Sequence, residues 1–150
     1  MARLNDFWYS FLEKSGRSKD ERFAGEISLE AQGFSGNAQL ALILAKKKTA
    51  FFTSLATYAI DNEDLPLADE LYIVTDKNEN PCAVIEIQSV QVVPFNEVTW
   101  EMAQCEGEDE DLFAWKEKHT EYLKDEAELV GFEFSDNIKL VFQKFRLLFP

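Results

Sequence analysis

Two different periods govern the order of hydrophobic and polar residues along this chain. A period near 3.6 residues, typical of a helix with one buried face, occurs in several stretches. It predicts helices at residues 6–14 with Asn5 or Asp6 as the cap, 38–47 with Asn37 as the cap, 95–103 and 112–122. In the last helix one face carries Leu112, Trp115, His119 and Tyr122. We expect His119 to be a hydrogen-bonded core side chain rather than a catalytic base.

A period of two residues, typical of strands, marks the other ordered stretches. It predicts strands at residues 51–55, 71–75, 82–93 and 138–149. A turn at residues 77–81 joins the second strand and the third into a hairpin. Residues 18–31 are charged and weakly periodic, so we predict a loop or a short helix there. Helices that precede strands, with one helix inserted among them, indicate an α+β fold, a small mixed barrel with flanking helices.

Length and composition favour one compact domain. The 150 residues are 46% hydrophobic and include 13 phenylalanines, which is ample material for one core. The longest aliphatic run, residues 40–45, is far shorter than the roughly 20 residues of a membrane span, so we expect no membrane association. No signal peptide is evident in residues 1–10, and Cys82 and Cys105 lie far apart, which favours a reducing cytoplasm.

Net charge and the motifs present in the sequence argue against several classes of function. The net charge of −13 repels a phosphate backbone at long range and argues against extensive coating of nucleic acid, although a local basic pocket is compatible with it. A phosphate-binding glycine loop is missing, and one histidine with two distant cysteines does not form a zinc site, so we expect no metal and no cofactor. Ser35 lies in a sequence that resembles a nucleophile elbow, but Asn37 replaces the second glycine, and an ordinary turn serine is favoured.

Two charged segments are candidates for chemistry. Residues 46–48 are three consecutive lysines, which lower one another's proton affinity, so that one of them becomes a nucleophile or base if it is partly buried. The alternative is a solvated helix end that complements the helix dipole. The second segment is the acidic run of residues 106–109, in which Glu106 lies upstream of the helix that Asp109 to Asp111 would cap. Its alternative is a solvated acidic face.

Together these segments resemble the ASCH family, a group of PUA-like barrels, from about Phe34 to Phe149. The family signature of glycine, any residue, lysine, two residues and threonine aligns with residues 46–51. Lys48 matches the lysine, whereas Lys46 replaces the glycine and Phe51 replaces the threonine. The order of the later segments also agrees: residues 92–95, residues 106–109, Trp115 with His119, and residues 145–146. The resemblance implies an ASCH-like domain, with residues 1–33 as a helical extension packed on it.

The resemblance implies a site at Lys48 and Glu106, since some ASCH proteins resemble amidohydrolases of an acylated cytidine and others are described as binding or cleaving RNA. Thr53 lies on the same strand face as Phe51 and would replace the lost threonine only if the strand shifts by one residue pair. Further ligand contacts are expected at Lys47, Thr49, Ser54 and Trp100.

Three functions remain open. In the first, a cleft binds single-stranded RNA or a nucleotide, with Lys48 on a phosphate or carbonyl and Glu106 accepting from an exocyclic amine. In the second, the chain hydrolyses an amide or phosphodiester of a nucleoside-like substrate, with Glu106 shuttling the proton. In the third, it is a non-catalytic protein-interaction domain. The first two require Lys48 and Glu106 to converge on one concave pocket. The oligomeric state and the ligand stay open.

Overall fold

The computed structural model describes residues 2–29 and 36–150. Its strands are β1 Gly25–Ser28, β2 Ala50–Ser54, β3 Leu71–Thr75, β4 Pro81–Pro94 and β5 Lys139–Phe149. Its helices are α1 Ala2–Ser15, α2 Gly36–Leu44, α3 Leu55–Ile60, α4 Trp100–Ala103 and α5 Leu112–Val130, with 3₁₀ turns at Phe95–Glu97 and Gln104–Glu106. The predicted α+β class is confirmed.

The five strands form one sheet in the order β1-β3-β4-β5-β2. β1 runs parallel to β3, and the other neighbours are antiparallel, which confirms the predicted hairpin of β3 and β4. The long pair β4 and β5 shifts register near Val84 and again between Ile87 and Ser89. Such irregularities increase the local bend and twist of a sheet. The sheet consequently curls into half of a barrel, which matches the predicted PUA-like architecture.

Helices cover the sheet and complete its hydrophobic core. α1 packs Trp8, Phe11 and Leu12 against Ile73 and Val84, as expected for a packing helix. α5 packs its Trp115 and Leu123 in a second cluster with residues of β2 and β5. A third cluster surrounds α2 and the start of β2, and its members include Ile43, Phe51 and Phe145. The turn between α2 and β2 therefore lies where two of these clusters meet.

The structure corrects two predictions of secondary structure. The segment of residues 18–31 contains β1 rather than only a loop or a short helix, because Gly25–Ser28 pairs with β3. That partner is distant in sequence and leaves no local pattern. α3 was not predicted; Ser54 begins it by accepting a hydrogen bond from the backbone N–H of Thr57.

Several helix ends differ from prediction. α1 begins at Ala2, so Asn5 and Asp6 lie inside it instead of capping it. α2 spans Gly36–Leu44, so Asn37 also lies inside its helix, and the three lysines follow the helix instead of ending it. The predicted helix at residues 95–103 is divided into two short turns, and α5 continues to Val130. Ser35 and its turn lie outside the described residues. No described helix has the length and apolar character needed to cross a membrane.

Candidate functional site

The turn that carries the three lysines is fixed by the end of α2. The backbone N–H of Lys46 donates to the carbonyl of Ile43, and that of Lys47 donates to Leu42. This pair of hydrogen bonds is typical of a helix C-terminus. The first residue after such a helix adopts the left-handed conformation, for which glycine is preferred. Lys46 occupies that position with a φ of 63°. The turn then directs the chain into β2 with Lys48 pointing inward, since Lys48 is only 1% exposed.

The acidic loop docks against this turn at a glycine. Gly107 has a φ of 75°, and a Cβ atom there would lie 2.6 Å from the carbonyl oxygen of Lys47. Both conditions require glycine. Next to it, the N–H of Thr49 donates to the carbonyl of Cys105 at 2.7 Å. The close approach of two backbones therefore brings Glu106 beside Lys48.

Lys48 and Glu106 form a buried ion pair. The Nζ of Lys48 lies 3.2 Å from Oε2 of Glu106, although the two residues are 58 positions apart. The other carboxylate oxygen, Oε1, accepts from the indole N–H of Trp115 at 2.7 Å and from Nε2 of His119 at 2.9 Å. The rings of Trp115 and His119 stack with centroids 4.0 Å apart. Glu106 is thus held by three donors in a site closed to solvent.

The two carboxyl groups on either side of Gly107 have opposite pKa shifts. Burial raises the pKa of Glu106, but the charge of Lys48 and the hydrogen bonds of His119 and Trp115 outweigh it and lower the pKa to about 2. Burial also raises the pKa of Glu108, and here the effect prevails. The Oε2 of Glu108 lies 3.9 Å from Nζ of Lys48 and 3.9 Å from Nζ of Lys118, and it has no hydrogen-bond partner among the described residues. The side chain of Glu108 is 15% exposed, against 5% for Glu106, so Glu108 is the more accessible of the two carboxyl groups.

A groove of about 460 Å³ lies on the outer side of Lys48. It is lined by Ile43, Lys46, Lys48, Thr49, Gln88, Lys144, Phe145, Arg146 and Leu147. Arg146 forms a salt bridge with Glu86 at 2.7 Å. Lys46 and Lys144 are exposed and form no salt bridge with another residue of the described chain. The groove therefore combines an apolar floor with positive charge that other side chains do not neutralise.

Other predicted site residues lie at the far end of β2. Thr53 accepts a hydrogen bond from Nε2 of Gln143 at 2.9 Å and donates toward the hydroxyl of Tyr58 at 3.4 Å. Ser54 is fully buried, and its side chain caps α3. No contact joins Thr53 or Ser54 to Lys48 in the part of the chain that the structure describes.

The remaining predicted contacts are divided between the turn and the core. Thr49 lines the groove, and its hydroxyl donates to the carbonyl of Cys105 at 3.4 Å. Lys47 is exposed, and its carbonyl faces Gly107. Trp100 packs partly buried against the cluster that contains Trp115. Of the predicted set, the structure brings Lys48, Glu106 and Thr49 together.

Comparison with known proteins identifies the family. A sequence model of the ASCH domain matches residues 27–148. This chain belongs to the ASCH domain family. No curated protein matches it.

Solved structures agree with this family and with its PUA-like fold. An ASCH domain from Lactobacillus crispatus JV V101 has a TM-score of 0.84 and 26% identity, over 100% of this chain and 96% of that one. A protein from Enterococcus faecalis V583, assigned to the family model DUF984, has a TM-score of 0.82 and 29% identity, over 97% of this chain and 88% of that one. The likeness therefore extends beyond the matched region to nearly the whole chain.

The structure shows where the two departures of this chain from the ASCH signature lie. The signature glycine falls at the left-handed end of α2, where this chain has Lys46. The signature threonine falls at Phe51, which is 2% exposed and stacks on Phe145 with centroids 4.6 Å apart. The Nζ of Lys48 lies 5.3 Å from the centre of the Phe51 ring. A packed ring therefore occupies the position that aligns with the threonine of the signature.

Sequence reasoning missed three residues of this region as site residues. His119 was assigned to the core, and it is buried, but its Nε2 also bonds Glu106. Glu108 was noted only as part of an acidic run. Lys144 lies beside the lysine turn because β5 pairs with β2, with Lys144 opposite Ala50. For these three residues, one signal in the sequence could have been used: the four-residue spacing of Trp115 and His119, which places both on the same helix face.

Proposed function

We propose that this ASCH protein is an RNA- or nucleotide-binding module whose ligand lies against Lys48 and in the groove beside it. ASCH domains are generally RNA-binding-like, and this motivates the class of ligand. The observation that carries the proposal is local: Lys48 and Glu106 meet at 3.2 Å, and Lys48 forms part of the wall of a cationic groove. Such a groove stands out in a chain whose net charge is −13.

In this proposal the roles of the two carboxyl groups differ. Oε1 of Glu106 already accepts two hydrogen bonds, and Glu106 is only 4% exposed, so it chiefly holds Lys48, Trp115 and His119 in place. The side chain of Glu108 is 15% exposed, so its other oxygen, which does not lie between Lys48 and Lys118, accepts from an exocyclic amine of the base. Lys48 bridges both carboxyl groups and directs a donor toward the ligand.

An equilibrium titration tests this function. The native chain is titrated with ribonucleosides, their 5′-monophosphates and a short single-stranded RNA, and we expect saturable binding of at least one of them. The double variant Lys48→Met with Glu106→Gln removes both buried charges while it keeps an acceptor for Trp115 and His119, so that the fold is retained. We expect this variant to bind more weakly, with its folding checked by circular dichroism.

Lys139→Gln is the matched control for that titration, because Lys139 is exposed on β5 and does not line the groove. It should bind like the native chain. Binding of no member of the panel by the native chain would refute the proposal and favour a protein-interaction domain.

Glu106 and Glu108 both contact Nζ of Lys48, at 3.2 Å and 3.9 Å, and their pKa values shift in opposite directions, which favours a second candidate function, hydrolysis of an acylated cytidine. Two neighbouring carboxyl groups with pKa values moved apart are typical of acid–base catalysis. Because Phe51 provides no hydroxyl nucleophile, water would attack the amide carbonyl while Glu108 takes up its proton and returns it to the leaving amine. Glu108→Gln should abolish turnover of N-acylated cytidine, and absence of turnover by the native chain would exclude this candidate.

A further inference from the structure

The cations of the groove are not equivalent. Lys48 is only 1% exposed, and two carboxylates lie within 3.9 Å of its Nζ. Arg146 is bound to Glu86. Both cations are therefore paired with carboxylates of the protein itself, Lys48 in the interior and Arg146 at the surface. Lys46 and Lys144 are exposed, and within the described residues neither has a salt bridge, so their charge is available to an anion.

Lys46 is one of four non-glycine residues in the described chain with a positive φ, and the only one of them that lines the groove. It has a φ of 63° at the left-handed end of α2, a conformation that costs a non-glycine residue on the order of 1 kcal/mol. The ASCH signature has glycine at this position, and the backbone geometry alone would favour glycine here. The substitution places an ammonium group at the mouth of the groove. Its position in the groove, together with a backbone conformation that does not require lysine, motivates a role in binding.

The shape of the groove fits a phosphorylated nucleotide. Its volume of about 460 Å³ lies within the usual range of small-molecule sites. Ile43, Phe145 and Leu147 offer an apolar surface, while Thr49 and Gln88 provide polar groups near it. Lys46 and Lys144 approach from two different elements, the turn after α2 and strand β5. A ligand with one anionic and one flat apolar part would meet both kinds of surface.

We propose that Lys46 and Lys144 bind a phosphate group of the ligand, so that this protein selects a phosphorylated nucleotide or the backbone of single-stranded RNA over a free nucleoside. This inference rests on the proposed function and sharpens it. Lys48 then serves the base or sugar side of the site, and the phosphate lies outside the buried ion pair. The net charge of −13 confines phosphate binding to this groove and opposes binding of longer nucleic acid elsewhere.

The test compares ligands and variants in one titration series. Each nucleoside, its 5′-monophosphate, inorganic phosphate and a short single-stranded RNA are titrated into the native chain, Lys46→Gln, Lys144→Gln and the double variant. We expect the monophosphate to bind at least tenfold more tightly than its nucleoside. For RNA, each lost contact should lower the slope of log affinity against log salt by about 0.7 and weaken binding about fivefold at 0.1 M salt.

The phosphate could be a terminal phosphate, as in a monophosphate, or a backbone phosphate of RNA. The dependence of affinity on salt separates these two sources. If the chain binds one terminal phosphate, RNA and the monophosphate will lose affinity equally in both single variants. If it binds a backbone, RNA will show the steeper slope and the larger loss in the double variant. Either result supports the phosphate site, and Lys139→Gln should leave both ligands unchanged, since Lys139 lies outside the groove.

Failure of this inference is distinguishable from failure of the proposed function. If nucleosides bind as tightly as monophosphates and the lysine variants bind normally, the phosphate site is refuted while nucleoside binding stands. If the native chain binds none of these ligands, the proposed function itself fails. Lys46 and Lys144 are exposed, so their substitution should leave the unfolding midpoint nearly unchanged, and weak binding will not reflect a misfolded protein.

Discussion

The buried network around Glu106 and the groove beside it both contain lysines, but the environments of these lysines are opposite. In the network, Lys48 and Glu106 are both at least 96% buried, and Glu106 accepts from three donors. In the groove, Lys46 and Lys144 face solvent without a carboxylate partner among the described residues. The network fastens the lysine turn to the acidic loop, whereas the groove leaves charge available for a ligand. Charge in the first region is compensated by buried partners, and we propose that charge in the second binds the ligand.

Glu106→Ala should produce the largest effect, because it removes the acceptor of three buried donors and leaves Lys48 with only the more distant carboxylate of Glu108, at 3.9 Å. We expect the free energy of unfolding to fall by about 3–5 kcal/mol. Chemical denaturation measures this, with Glu110→Ala as a matched control from the exposed part of the same loop. A loss below about 1 kcal/mol would contradict a structural role for the network.

The stability of the buried network should depend on pH, because Glu106 must stay ionised to keep its partners. Its pKa is lowered from 4.5 to about 2 in the folded chain, so the unfolded state binds its proton at the higher pH. The ionised group contributes on the order of 3 kcal/mol, which is fully present above about pH 4.5 and is lost as the pH falls toward about 2. Denaturation midpoints measured across this range should decline steeply in the native chain. Glu106→Gln should flatten the decline, and an unchanged slope would refute this assignment.

Glu108→Gln should raise the free energy of unfolding, whereas Glu106→Ala should lower it. Burial raises the pKa of Glu108, so its folded form favours the proton and its ionisation opposes folding as the pH rises. Removal of the charge should stabilise the chain at neutral pH, with the gain disappearing in acid where the carboxyl is protonated. The same variant should weaken ligand binding. A destabilised variant with normal binding would place Glu108 in the structural network instead.

Lys46→Gly should give the smallest change in stability. Glycine relieves the left-handed strain at φ 63° but gains entropy in the unfolded chain, so we expect a net stabilisation of about 0.5 kcal/mol. RNA affinity should fall at the same time. Lys46→Gln, which keeps the strain and removes the charge, separates the two effects in thermal unfolding and titration. If glycine lowers stability, strain at Lys46 is not the reason for the signature glycine.

The sequence predicted the local elements better than the contacts between them. Helical and alternating patterns were sufficient for α1, α5 and the β3–β4 hairpin. β1 was missed because its parallel partner is distant in sequence, and α3 because the cap at Ser54 was not recognised. Resemblance to the family selected Lys48 and Glu106, but no pattern indicated Lys144, whose position depends on the pairing of β5 with β2.

One buried group remains without an account. The side chain of Gln39 on α2 is 1% exposed, and neither its nitrogen nor its oxygen has a hydrogen-bond partner in the described chain. Nothing in the structure explains it.

Amide chemical-shift mapping tests the central claim most directly. The isotope-labelled native chain is titrated with a short single-stranded RNA and, separately, with the nucleoside monophosphate that binds best. The account predicts saturable shifts confined to residues 46–49, 106–108 and 144–147, with α1 unaffected. Saturable shifts confined to α1, or no saturable shift with any ligand, would contradict it.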